Sequence, residues 1–197
     1  MAARAPQHLL NPELAERIVA RALANGGDFA ELFCEDRNGF SLAIDESRVE
    51  RAQRGLEVGA GVRVLAGETT YFAHVDGLAE ADLERAADAA AAALTGERRE
   101  PQALSAAEPV AGQEIEIAPA EVAAERKAEL LRACDERARA GGAEVLQVQA
   151  GYSEGRRRIT VANSEGRFAS DDRTRVRSSE ANRPSELATV IRRRPSE

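Results

Sequence analysis

The sequence predicts an α+β fold: a mainly antiparallel sheet with helices packed on it, organised as two related helix-plus-hairpin units. Three observations carry this. Alternating apolar and polar stretches follow one another closely between residues 29 and 75, too closely for the long crossovers that parallel neighbours require. Helix-period stretches flank them. A helix, a glycine pair and a hairpin then occur twice, with 115 residues from Gly26 to Gly141 and 117 from Ser47 to Ser164.

Residues 1–11 read as a loose leader. Asn11-Pro12 starts a helix, with Asn as N-cap and Pro at the first helical position. Leu14, Ala15, Ile18, Val19, Ala22 and Leu23 form its apolar stripe, and Gly26-Gly27 ends it. Phe29 to Cys34 is the first expected strand, with Asn38-Gly39 as its hairpin turn. Phe40 to Ile44, Val49 to Leu56, Val58 to Leu65 and Thr69 to Val75 complete an expected five-stranded meander. Polar turns lie at Asp45-Glu46-Ser47 and Ala66-Gly67-Glu68, and Val49 to Leu56 is polar enough for an edge. In the last hairpin Ala60, Val62 and Val64 point to one face and Arg63 and Leu65 to the other. Gly59 and Gly61 share the Arg63 side, leaving room for another backbone or a ligand.

Leu78 to Leu94 returns to helical spacing, with a thin stripe of Leu83, Ala86, Ala87, Ala90 and Leu94 that lets the helix lie flush on a sheet. Residues 12–95 thus make a first α+β unit and 96–119 a linker. The second unit, 120–176, opens on a helix from about Glu121 to Ala140 with Ala124, Leu130, Leu131, Cys134 and Ala138 on its expected buried side. A strand from Glu144 to Ala150, a turn at Gly155 and a strand from Arg158 follow. Order is expected to fade after Val176, so 177–197 reads as an irregular basic tail and the chain as cut short.

Composition bounds function. Only 4% of residues are aromatic, so the core must be aliphatic. The net charge of −7 is uneven: residues 156–197 hold eleven Arg against six acidic groups, a balance of +5, leaving −12 on the first 155. Such a tail admits an anionic partner, but no aromatic platform is interleaved with it, so a solvated edge is the simpler reading. No apolar run approaches the ~18 residues of a membrane span, and a cytoplasmic location is expected.

Candidate chemistry is sparse. Gly59-x-Gly61 has Val64 where a nucleotide loop needs a third glycine, and it lies inside a strand. Cys34 and Cys134 are a hundred residues apart and read as small buried hydrophobes. His8 and His74 are the two histidines, neither with a second at helical spacing, so no zinc helix is present. His74 beside Asp76 offers an acid–base pair, against the simpler reading of a surface histidine at a strand end. Asp171-Asp172 before Arg173 and Arg175 reads as a solvated strand edge. These residues assign no catalytic group and no metal ligand, and leave substrate-binding residues unknown.

Gly26-Gly27-Asp28-Phe29-Ala30-Glu31-Leu32-Phe33, Ile44-Asp45-Glu46-Ser47-Arg48-Val49-Glu50, Gly59-Ala60-Gly61-Val62-Arg63-Val64 and Tyr71-Phe72-Ala73 together resemble the N-terminal part of the TldD/PmbA family, also called modulator of DNA gyrase. The resemblance covers about residues 12–176. It implies zinc metalloproteases acting on unfolded peptides and assembled as paired subunits around a closed chamber. Their zinc motif, His-Glu-x-x-x-His with a later cysteine, lies in a C-terminal half with no counterpart here, so no catalytic or metal residue carries over. The resemblance therefore implies a scaffold and subunit-contact domain, with zinc in full-length members and a homo- or hetero-oligomer with a family member. The alternatives are a stand-alone module regulating a full-length partner and a nucleic-acid binder using the Arg-rich tail. Association is expected through residues 144–176, where Ile159, Val161 and Phe168 suggest an unpaired edge, opposed by the arginines at 156–158 and 173–177.

Overall fold

The computed structural model describes residues 7–108, 115–141 and 145–184. The elements, in order, are α1 (Pro12–Ala22), β1 (Phe29–Asp45), β2 (Arg48–Ala66), β3 (Thr69–Asp76), α2 (Glu80–Ala91), β4 (Ser105–Ala106), a 3₁₀ turn (Pro119–Glu121), α3 (Ala124–Arg139), β5 (Val145–Asn163) and β6 (Arg167–Pro184). The six strands form one mixed, mostly antiparallel sheet in the order β3-β2-β1-β5-β6-β4. β2 and β3 are antiparallel, while β4 runs parallel to β6. β1 and β5 are antiparallel too, because Ser164 N donates to Ala30 O while Glu46 N donates to Val148 O. The α+β class is as the sequence predicts.

The strands are fewer and longer than expected. The five-strand meander is three strands, since β1 runs through Asn38-Gly39 and β2 runs through Gly55. The turn expected at Gly155 is likewise absent from β5. The reason is phase. Ala30, Leu32 and Cys34 are buried at even positions, and Leu42 and Ile44 continue that parity, so pairing along 17 residues outweighs one local turn signal. The turns that do form are Glu46-Ser47, with φ of 48° and 63°, and Gly67-Glu68, with Gly67 at 56°. Each repeat is thus a helix followed by two long strands joined by a tight turn, at 46–47 and 164–166.

The chain divides into two compact units. Unit 1 comprises Met1–Asn38, Gly55–Glu114 and Arg156–Thr174; unit 2 comprises Gly39–Arg54, Ile115–Gly155 and Arg175–Glu197. In unit 1, α1 and α2 cover one face of the sheet. Ile18, Val19, Leu32, Val62, Val64, Leu83, Ala87 and Phe168 lie at the centre of that core. Asn11 caps α1 by accepting Leu14 N at 2.7 Å, and the helix ends at Ala22 with Leu23 as C-cap rather than at the expected glycine pair; Gly26 and Gly27, with φ of 101° and 110°, turn the chain into β1. The two helices are tied by Arg17 to Glu80 and by Arg21 to both oxygens of Asp88, at 2.5 and 2.7 Å. The end of the expected leader is not loose. Leu10 is buried, Leu9 N donates to Thr160 Oγ1 at 2.9 Å, and His8 hydrogen-bonds Ser170 beside the Phe168 ring. Residues 1–6 lie outside the described residues.

Unit 2 packs α3 on Leu42, Ile44, Ala150 and Tyr152 through Ala128 and Leu131. The stripe expected on α3 is rotated: Ala124 and Leu130 are exposed and Cys134 is half-buried, while Lys127 and Asp135 are buried. Lys127, the single lysine of the sequence, has its Nζ 2.8 Å from Glu154 and 5.1 and 5.6 Å from the Phe40 and Tyr152 ring centres. Glu154 also accepts the Tyr152 hydroxyl at 2.5 Å. Burial, followed by that hydrogen bond and the charge of Glu154, pushes the Tyr152 phenol up. Asp135 accepts the Ser47 hydroxyl and meets Arg139 at 3.2 Å, which pins the left-handed turn at Ser47 to the helix.

Two further expectations are corrected. β5 is not an edge, because β1 and β6 flank it; Ile159 and Val161 are half-buried and Phe168 is buried in the core. Order does not stop at Val176, since β6 continues to Pro184; residues 185–197 lie outside the described residues. β3 pairs only with Gly59 to Ala66 of β2, so the stretch of β2 from Arg48 to Glu57 has no outer neighbour among the described residues. All its side chains are exposed, as expected of an edge.

Candidate functional site

The face of the unit 1 sheet opposite its helices carries an open groove of about 760 Å³. Alternation along each strand builds it: Glu31, Phe33 and Glu35 from β1, Glu57, Gly59, Gly61 and Arg63 from β2, and Phe72, His74 and Asp76 from β3. The space left by the two glycines is filled from within the sheet. A Cβ on Gly61 would lie 2.8 Å from the Phe72 ring, and one on Gly59 would lie 2.7 Å from the Val75 carbonyl oxygen. Phe72 nevertheless remains 63% exposed, with its ring stacked 6.1 Å from His74. Arg63 meets Glu31 at 3.0 Å and lies over the Phe29 ring. Four carboxylates, Glu31, Glu35, Glu57 and Asp76, thus line the groove beside apolar Phe33, Leu56, Val58 and Phe72.

The candidate side chains do not converge. His74 and Asp76 share this face without a hydrogen bond between them among the described residues. His8 is held by Ser170 and Phe168 on the core side of the sheet. Cys34 is fully buried, and burial pushes its thiol up to about 12, which removes it as a ligand or nucleophile. Among the described residues no three His, Cys, Asp or Glu gather closely enough to hold a metal ion. A hydrolytic zinc centre does not fit this donor set.

Asp171 and Asp172 do lie on a strand edge, but they are paired. Arg156 meets Asp172 at 2.5 Å, and Arg157, Arg158 and Arg173 pair with Glu35, Asp36 and Asp171. Arg156 holds the half-exposed Asp172 carboxyl below the usual carboxylate range, chiefly by hydrogen bonding. A depressed folded value stabilises the protein above the unfolded value of about 3.9, and that contribution is lost as pH falls through the folded value. Solvent screening keeps it small. Arg156→Ala should therefore lower the melting temperature slightly at neutral pH and flatten its fall as the pH drops below about 4, measured by thermal scans from neutral into acid.

Residues 30–94 match PmbA/TldA metallopeptidase domain 1, and residues 117–179 match the PmbA/TldA metallopeptidase central domain. The chain belongs to the TldD/PmbA family. It is 30% identical over 154 residues to the metalloprotease TldD homolog of Haemophilus influenzae, covering 76% of this chain and 32% of that protein. This TldD/PmbA chain thus spans about a third of the length of the curated relative it matches. Its fold is shared with a proposed modulator of DNA gyrase from Bacteroides thetaiotaomicron, with a TM-score of 0.64, 19% identity, and coverage of 85% of this chain and 40% of that one. TldE from Thermococcus kodakarensis shares it at a TM-score of 0.53 and 15% identity, with coverage of 88% and 42%. Among the described residues no helix is long and apolar enough to cross a membrane.

The groove is a feature that the TldD/PmbA sequence announces only in part. Gly59 and Gly61 mark a close approach, but the ring that makes it, Phe72, becomes visible as a wall only once the β2–β3 register sets Arg63 opposite it.

Proposed function

We propose that these residues are the non-catalytic scaffold and subunit-contact part of a TldD/PmbA-type metallopeptidase that degrades or processes unfolded peptides in the cytoplasm. The catalytic zinc half is absent from this chain, whose two histidines are His8 and His74. The observation that carries this reading is the pairing of domain 1 with the central domain in a chain whose histidines and cysteines are scattered over separate faces and cores. The mixed acidic and apolar lining of the groove supports a role in receiving extended peptide. Two free cysteines, one in each unit, agree with a reducing compartment.

The exposed Phe72 and Leu56 also suit the second reading, a protein-interaction module that regulates a full-length partner. Nucleic-acid binding is the weaker alternative, because four arginines of the basic segment are already engaged by carboxylates. The test is an assay of the purified chain on an unfolded peptide with and without a chelator. No cleavage is expected in either condition; chelator-sensitive cleavage would overturn the scaffold reading.

A further inference from the structure

Resting on the peptide-receiving part of that reading, we propose that the outer edge of β3 is the seat of an extended cationic peptide, which joins the sheet as one more antiparallel strand. β3 ends the sheet on this side, and no described residue pairs with its outer edge. The turn at Gly67-Glu68 fixes which backbone groups are left over. Ala66 faces Thr69 across it, and Gly77 N donates to Val58 O at 2.7 Å, so the odd-numbered residues of β3 exchange their hydrogen bonds with β2. Thr70, Phe72 and His74 therefore turn both their N–H and their C=O outward. Their side chains are exposed on the groove face, while Tyr71, Ala73 and Val75 pack against the core.

Edges are normally blunted by charged side chains. From Thr69 to Val75 this one has none, and its threonines, aromatics and valine suit a strand. The charges stand at its two ends. Glu68 and Asp76 are exposed, and neither has an ionic partner among the described residues. They disfavour a second copy of this edge: the antiparallel register that covers all of it sets Glu68 opposite Asp76 twice, and like charges directly opposite destabilise a pair. The same carboxylates favour an incoming strand with a cation near each end and an uncharged, β-forming segment between. Centred on Phe72, alternate side chains of such a strand fall on the groove face beside His74, the Phe72 ring and Thr70.

The experiment titrates the full chain into a fluorescent, end-blocked peptide, Arg-Thr-Val-Thr-Val-Thr-Val-Thr-Arg, and follows anisotropy at low salt. Saturable binding is expected. Replacing both arginines by glutamate should weaken it about tenfold, as should N-methylating the three valines, which removes the donors aimed at β3 and keeps the charge. Glu68→Arg/Asp76→Arg should reverse the preference in favour of the glutamate-ended peptide. His74→Pro should abolish binding at an unchanged melting temperature, because the outward N–H makes no bond within the sheet. Should that variant fail to fold, the charge reversal decides. Saturable binding that neither the charge reversal nor N-methylation alters puts the peptide elsewhere; it overturns this seat and leaves the peptide-receiving reading standing. No binding of either peptide overturns both, while the scaffold reading is judged separately by the peptidase assay.

Discussion

Glu154→Ala is expected to lower the stability of unit 2 by about 3–5 kcal/mol, because it strands the charge of Lys127 in a site sealed from water. The side chains of Lys127 and Glu154 are 6% and 9% exposed, and the ammonium is roofed by the Phe40 and Tyr152 rings, so solvent cannot replace the lost carboxylate. Removing both charges should behave differently. Lys127→Met with Glu154→Leu keeps the volume and abolishes the desolvation cost, and should fall within about 1–2 kcal/mol of wild type or exceed it. Lys127→Arg should be destabilising despite the retained charge, because a planar fork does not occupy the place of a compact ammonium between two rings. A chain with 26 arginines keeps its one lysine at this position. Denaturant unfolding, with hydrogen exchange of the α3 amides, reads the effect. Glu154→Ala at wild-type stability would mean that the pair is wetted and contributes nothing.

Val64→Asp should unfold unit 1. Val64 is fully buried, and its Cγ1 lies so close to Gly27 that a Cβ there would stand only 2.7 Å away. An unpaired charge in this core costs several kcal/mol, comparable with the ~5–15 kcal/mol that holds a domain together. The neighbour provides the control. Arg63 points to the groove and pairs with Glu31 in solvent, so Arg63→Gln should change stability by less than about 1 kcal/mol. Equal melting temperatures for Val64→Asp and Arg63→Gln would mean that the β2 register is wrong.

How far the fold could be read from sequence follows from which signals were local. The start and the buried stripe of α1 were legible, because Asn11-Pro12 and Ile18/Val19 act within a few residues, whereas its end falls at Ala22 with Leu23 as C-cap, short of the expected Gly26-Gly27. The β2–β3 hairpin was legible for the same reason, with Val62 and Val64 buried as their alternation required. Asn38-Gly39 and Gly155 misled because a hairpin signal speaks only for four residues, whereas β1 and β5 hold their phase over 17 and 19. On α3, a stripe drawn from apolar residues alone missed Lys127 and Asp135, whose partners Glu154 and Ser47 lie 27 and 88 positions away. The groove was the least legible, since three strands contribute alternate residues to it and its apolar walls are single aromatics among charged neighbours.

The central claim is that this TldD/PmbA chain supplies scaffold and contacts and builds no zinc centre of its own. Metal analysis of the purified chain, after incubation with zinc and removal of the excess, tests it most directly. The account predicts zinc well below one equivalent, unchanged by His74→Ala. One tightly held zinc per chain, lost on His74→Ala, would contradict it.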